Sequence, residues 1–446
     1  MADQVLLEKH DHDPLNFPAG FLWGAATSGH QIEGNNTNSD WWHWEMENQP
    51  PHMRSGKSAD HYHRFKEDFT LAKELGHNAH RLSIEWARIE PKEGTFDQSE
   101  IDHYKEVLAD LKAKGFTVML TLHHFTNPQW LAEIGGWENG KAIEYFERFV
   151  DRVVPELRMY VDLWVTINEP GVYAFNGYLT SIWPPQKKNK FSAAKVFWNM
   201  ALAHKKAYKV IHKHEQNALV GIAHNAASFS HLHHHSIREA LAVWGYDVGS
   251  NHIFFYLTGK ECHDFIGLNY YFNKYVSFNG ESQIPGTIDI EETKKAVSDM
   301  GWEIRPEGIF DVIMDFSDYH KPIYITENGL ASTNDDRRAR FLISYLKEIY
   351  HAIELGVHVK GYFHWSLMDN FEWADGFAPR FGLIEIDYKT FKRTPRQSAY
   401  LYAEVTKGNR IPHHFMQFIG HSIDVEDVLE QERIYEKHEN HKDLKI

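Results

Sequence analysis

The chain has 446 residues, 42% of them apolar and 24% charged, which is enough to bury a large core and excludes a disordered or fibrous protein. Its 47 Lys and Arg stand against 62 Asp and Glu, a formal charge of −15. That field repels phosphates and argues against nucleic acid or an anionic membrane as partner. One cysteine, Cys262, excludes an intrachain disulfide framework and cysteine-rich zinc sites.

No run approaches about eighteen consecutive apolar residues, and Met1 to Asp13 is polar with no apolar signal core. The expectation is a reduced cytoplasmic protein with no membrane partner. Aromatic residues reach 14%, with 14 Trp. Such a content fits either a large aromatic core or a site that stacks on flat, partly apolar ligands such as sugar rings.

Short apolar runs of β type alternate with helical patterns along the chain. In order they are Phe21–Thr27, Ala79–Ile84, Thr117–His124, Leu163–Pro170, Leu219–Asn225, Asp264–Tyr271, Pro322–Gly329 and Val359–Leu367. Most are near-continuously apolar, as parallel strands buried on both faces are. Amphipathic stretches such as Asp60–Leu75, Glu100–Lys114 and Ala339–Leu355 lie between them, with Gly76, Gly115 and Gly356 where C-terminal caps belong. Eight strands alternating with helices predict an α/β fold, a single (β/α)8 TIM barrel. No G-x-G-x-x-G or Walker A turn supports an open doubly wound sheet. The barrel is expected over residues 15–412, between an N-terminal extension (1–14) and a charged C-terminal one (413–446) that is helical or disordered.

In a TIM barrel the active site lies at the C-terminal ends of the strands. Seven of the eight ends here are polar: Arg81 and Ser83, His123 and His124, Asn168 and Glu169, Asn225, Asn269 and Tyr271, Glu327 and Asn328, Trp365 and Ser366. A polar ligand is the common explanation expected for them. Glu169 and Glu327, ending strands four and seven, are the central pair. A carboxylate at the end of an apolar strand costs several kcal/mol if unpaired, so both need partners or a function. Two carboxyls in different environments are the equipment of glycoside hydrolysis, in which one protonates the leaving oxygen and the other attacks or activates water. Arg81 is placed to keep one of them ionised.

The chain resembles glycoside hydrolase family 1, the β-glucosidase-like retaining enzymes. The motifs that carry the resemblance are TINEP (166–170) and ITENG (325–329), with FPAGFLWGAATS (17–28), QIEG (31–34), HRLSIEW (80–86), GLNYY (267–271) and WSLMDNFEW (365–373), in the family's order. It implies Glu169 as acid/base and Glu327 as nucleophile, with the carboxyls about 5–5.5 Å apart. Asn168 would bind the 2-hydroxyl of the terminal sugar, the glycone. Gln31, His124, Glu372 and Trp373 would hold the other hydroxyls over a Trp365 floor. Arg81 and Tyr271 would tune the nucleophile, supported by Asn269. The implied activity is exo-acting hydrolysis of terminal β-D-glucosyl residues, or galactosyl or fucosyl ones, from small β-glycosides. No cofactor and no metal are implied.

Three departures stand out. Phe125 replaces the Trp that usually follows the strand-three histidine. Residues 374–381 lack the Ser, Lys and Tyr of 6-phosphosugar enzymes and add Asp375, so unphosphorylated sugar is expected. The stretch from Asn225 to Asp264 is short, which predicts an open or differently covered entrance on the side of the leaving group, the aglycone. His231, His233, His234 and His235 are read as a loop without a metal, and His204, His212 and His214 as surface or packing residues of a helix. The alternatives are a silent sugar-binding barrel, expected to lack Glu169 or Glu327, and a metal-dependent barrel hydrolase. The latter would need ligands such as His-x-His at strand one, where the chain has Ala25-Ala26-Thr27.

Overall fold

A computed structural model describes residues 14–231, 237–276, 287–288 and 296–418. Eight parallel strands form a closed barrel: β1 (Leu22–Ala26), β2 (Ala79–Ser83), β3 (Thr117–Thr121), β4 (Leu163–Asn168), β5 (Leu219–His231), β6 (Ile266–Val276), β7 (Ile323–Asn328) and β8 (Val359–Trp365). Neighbours pair in sequence order, β8 pairs with β1, and the ring is complete. Each strand leads into a helix of the outer layer: α1 (His61–Glu74), α2 (Gln98–Ala113), α3 (Lys141–Leu157), α4 (Lys190–His214), α5 (Ile237–Asp247), α6 (Pro306–Ser317), α7 (Asp335–Glu354) and α8 (Gln397–Gly408). This is the expected (β/α)8 barrel.

Local chemistry explains the helix ends. The Asp97, Asn189 and Asn334 side chains accept the first free N–H groups of α2, α4 and α7. Gly76, Gly115 and Gly356 follow α1, α2 and α7 at φ of +80°, +76° and +91°, where a side chain would be strained. Side chains alternate along each strand. One set, including Ala26, Ala79, Met119, Val165, Ala223 and Phe363, fills the barrel, and the larger core lies between strands and helices. At the barrel's far end Leu15–Asn16 pairs antiparallel with Arg410–Ile411 and joins the two ends of the described fold.

Two strands run longer than their sequence suggests. β5 and β6 stay paired past the barrel rim, from Ser228 opposite Asn273 to His231 opposite Val276. This paired extension stands where the short Asn225–Asp264 stretch predicted an altered entrance. The loop from 232 to 236, with His233, His234 and His235, lies outside the described residues, as do 1–13 and 419–446. No helix among the described residues is long and apolar enough to cross a membrane.

Candidate active site

Register brings the central residues to one level. Asn225 on β5 is opposite Asn269 on β6, which is opposite Glu327 on β7. Asn168 is the last residue of β4, and Glu169 follows it at φ +43°. Phe125 (+71°) and Trp373 (+52°) also sit in the left-handed region, so three non-glycine residues at this mouth hold strained backbones. Gly329 closes the ITENG motif because a Cβ there would lie 1.8 Å from the carbonyl oxygen of Trp365.

Glu327 and Glu169 are both buried but have different partners. Arg81 Nη1 donates to Glu327 Oε1, and the Tyr271 hydroxyl donates to Oε2 at 2.6 Å. Glu169 Oε1 instead accepts amide N–H groups, from Asn269 at 2.7 Å and Asn225 at 3.4 Å. The Thr326 hydroxyl donates to Asn269 Oδ1 at 2.7 Å, which turns the Asn269 amide nitrogen toward Glu169. Burial pushes both carboxyls up. The Arg81 charge and the Tyr271 hydroxyl pull Glu327 back, whereas Glu169 is pushed further, to about 8, by the charge on Glu327.

Asn168 Oδ1 accepts from Arg81 Nη2 at 2.7 Å and from Asn269 Nδ2 at 3.1 Å. Its own Nδ2 lies 3.3 Å from His124 Nε2, so the carboxamide presents a donor on that side. Gln31 is fixed in the same way. The Ser28 hydroxyl donates to its Oε1 at 2.7 Å, and its Nε2 donates to Phe371 O at 2.8 Å and Glu372 Oε2 at 3.2 Å. Burial first, then Asp375 and the two central carboxylates, push Glu372 well above the usual carboxylate range. The His124 ring is parallel to both Trp365 (6.0 Å, 13°) and Trp373 (6.1 Å, 12°). All eleven residues implied by the resemblance thus gather at the C-terminal mouth.

A second polar residue at four of the strand ends does not join them, which narrows the set expected to face one common ligand. Ser83 accepts the Gly29 N–H, and His123 bonds Asn127 and lies against Trp137. Asn328 donates to Tyr270 O and accepts from Tyr362, while Ser366 donates to Met368 O. These satisfy the fold rather than face the cavity. Conversely, the sequence reading missed Thr326, Trp41 and Trp183. The two indoles pack on Trp373 at 4.7 and 5.7 Å. The crowded tryptophans from 41 to 44 were a usable signal; Trp183, in a loop, offered none. Phe125 fills the gap between Trp183 (4.8 Å) and Trp373 (5.2 Å) as an apolar wedge. Arg380, the cation beside the NFEW segment, is paired with Asp369.

Among the described residues one group, Asp247, His252 and Asp315, brings three potential metal-ligand atoms together. It lies on the outer ring, away from the mouth. His252 Nε2 is 2.6 Å from Asp315 and 3.5 Å from Asp247, and its pKa is pushed up to about 9 by both carboxylates against the opposing effect of burial. The imidazolium thus links the end of α5 to α6. Of the helical histidines, His204 is buried between Thr166 and the Cys262 carbonyl, and His212 and His214 pair with Asp264 and Asp151.

The glycosyl hydrolase family 1 profile matches residues 14–244 and 251–411, interrupted within the β5–β6 connection. The chain is 32% identical to β-glucosidase A of Thermotoga maritima over 440 residues, 88% of this chain and 98% of that one. It is 31% identical to a β-galactosidase of Pyrococcus woesei, covering 89% and 98%. Its fold superposes on a β-glycosidase from Pyrococcus horikoshii with a TM-score of 0.83 and 37% identity, covering 92% and 99%. The chain therefore belongs to glycosyl hydrolase family 1 and is an O-glycosyl hydrolase, a β-glycosidase.

Proposed function

We propose that this β-glycosidase is an exo-acting, retaining enzyme that removes terminal β-D-glucosyl residues from small glycosides, with Glu327 as nucleophile and Glu169 as acid/base. The observation that carries this reading is the asymmetry of the two carboxyls. Glu327 has a cation and a phenol donating to it, which favours the charged form that attacks. Glu169 is pushed up to about 8, which favours the protonated form a leaving oxygen needs.

In the first step the Glu327 carboxylate attacks the anomeric carbon while Glu169 gives its proton to the departing glycosidic oxygen. Forming the ester removes the Glu327 charge, and with it one of the influences that raise Glu169. Glu169, now a carboxylate, takes a proton from water, and that water displaces Glu327 from the sugar. Asn168, Gln31, His124, Glu372 and Trp373 hold the glycone hydroxyls over Trp365, and Arg81, Tyr271 and Asn269 tune the carboxyls. The acidic surroundings of Glu372, and an Arg380 already paired with Asp369, support an unphosphorylated sugar. The buried free Cys262 supports a cytoplasmic location.

Glu169→Ala tests the assignment. On para-nitrophenyl or alkyl β-glucosides it is expected to cost roughly 10²–10⁴-fold. On 2,4-dinitrophenyl β-glucoside, whose leaving group departs unprotonated, the first step should be nearly unaffected. Equal losses in kcat/KM, which reports the first step, on both would remove Glu169 from the acid role.

A further inference from the structure

The short helix Gly29–Ile32, which carries His30 and Gln31, is seated on buried acids. Glu85, just past β2, accepts the His30 backbone N–H on Oε1 at 2.8 Å. Its Oε2 takes the Asn36 amide at 2.6 Å and the Thr126 hydroxyl at 2.7 Å. A Cβ on Gly29 would come within 2.7 Å of Glu85 Oε1, so the seat requires glycine there. The His30 side chain is anchored separately. Its Nε2 lies 2.8 Å from Glu45 Oε1, and Glu45 Oε2 accepts the Ser55 N–H at 2.6 Å and the Ser55 hydroxyl at 2.7 Å. Asn36 Nδ2 is 3.2 Å from His30 Nδ1. The tautomer that satisfies both neighbours carries its proton on Nε2, facing Glu45.

A ring held at both nitrogens has a fixed plane. That plane is parallel to the Trp373 indole, with centroids 5.7 Å apart and 6° between planes. Trp41, Phe125 and Trp183 also enclose Trp373, but as tilted or edge-on contacts, while His124 is parallel to it at 6.1 Å and 12°. Tilted and edge-on contacts limit where the indole sits more than how it is turned. Trp373 also occupies a left-handed backbone position, which local preference disfavours and neighbours must impose.

We infer that His30, anchored by Glu45, is a positioning residue that, together with His124, sets the orientation of Trp373. It acts through Trp373 and touches no substrate itself. The inference rests on the glycosidase reading above. Loss of the anchor tilts one wall of the glycone subsite, so substrate and glycone-shaped inhibitor should suffer alike.

His30→Phe keeps a ring and removes the hydrogen bonds. Glu45→Gln sets an amide N–H₂ against either the Ser55 donors or the His30 donor. Each should lower kcat/KM for para-nitrophenyl β-glucoside about tenfold to hundredfold. Each should also weaken deoxynojirimycin, which occupies only the glycone side, by a similar factor. In a Trp373→Phe background the same changes should cost less than about twofold, because the residue they position is already gone. A role confined to packing would lower Tm and leave these ratios alone. Unchanged kinetics in the folded variants, or full losses repeated in the Trp373→Phe background, would overturn the inference. Glu45→Gln carries the test if His30→Phe does not fold. A wild-type chain inactive on every β-glycoside would strike the glycosidase reading instead, and the inhibitor cycle would still decide the positioning role.

Discussion

The barrel mouth and the layer between strands and helices both bury ionisable groups, with opposite results. At the mouth a set of buried carboxyls is pushed upward: Glu169, Glu327 and Glu372, with Glu85 at about 7 and Asp40 at about 6 behind them. Outside the mouth a set of buried histidines is pushed downward. His77 and His364 fall to about 3, His123, His204 and His224 to about 4, and His80 and His263 well below the usual value. Both His77 ring nitrogens, and one on His80, His123, His224 and His263, meet no hydrogen-bonding group among the described residues. Burial favours the neutral form in both places. It makes an acid able to hold a proton at neutral pH, and it makes a histidine inert. Perturbed titration alone therefore does not mark a site; convergence of partners does.

The largest expected effect breaks the mouth. Glu327→Ala should lose on the order of 10⁵-fold or more in kcat, as removal of a covalent nucleophile does, while circular dichroism stays unchanged. Azide should restore turnover of 2,4-dinitrophenyl β-glucoside and yield the α-glycosyl azide. A β-azide from this variant would assign the attack to another group.

A smaller effect probes the layer. A histidine neutral in the fold and titrating near 6.5 when unfolded contributes full stability above pH 6.5, lost as pH falls toward its folded value. The slope is roughly 1.4 kcal/mol per pH unit for each such group. The raised mouth carboxyls act in the opposite sense: protonated in the fold while still ionised in the unfolded chain, they gain stability as pH falls. Seven histidines of the layer, joined by His124 at the mouth, outnumber them, so denaturant unfolding should show stability falling between pH 6.5 and 5. His364→Phe should flatten that slope by about one histidine's share. A flat profile would mean that the layer histidines are not held neutral.

The strands were legible because a parallel barrel strand is buried on both faces and reads as an apolar run. The ends of β5 and β6 were not, since beyond the rim Ala226–Ser230 and Phe272–Val276 are small or alternating and lose the run. At the site, Glu169, Glu327, Arg81 and Tyr271 could be read because each sits at or near a strand end. His30 with Glu45, and Thr326 behind Asn269, could not, because loop folding or strand register creates those contacts. Ser83, His123, Asn328 and Ser366 were over-read for the complementary reason. Strand alternation and tight turns send polar side chains away from the cavity as readily as into it.

The central claim is that Glu327 forms a covalent glycosyl intermediate and Glu169 serves it as acid and then base. The most direct measurement is proton NMR of the wild-type chain turning over para-nitrophenyl β-glucoside, following the anomeric signals before mutarotation. β-Glucose appearing first is the predicted result, two inversions leaving the configuration as it began. α-Glucose appearing first would contradict the account, because a single displacement by water leaves Glu327 no covalent role.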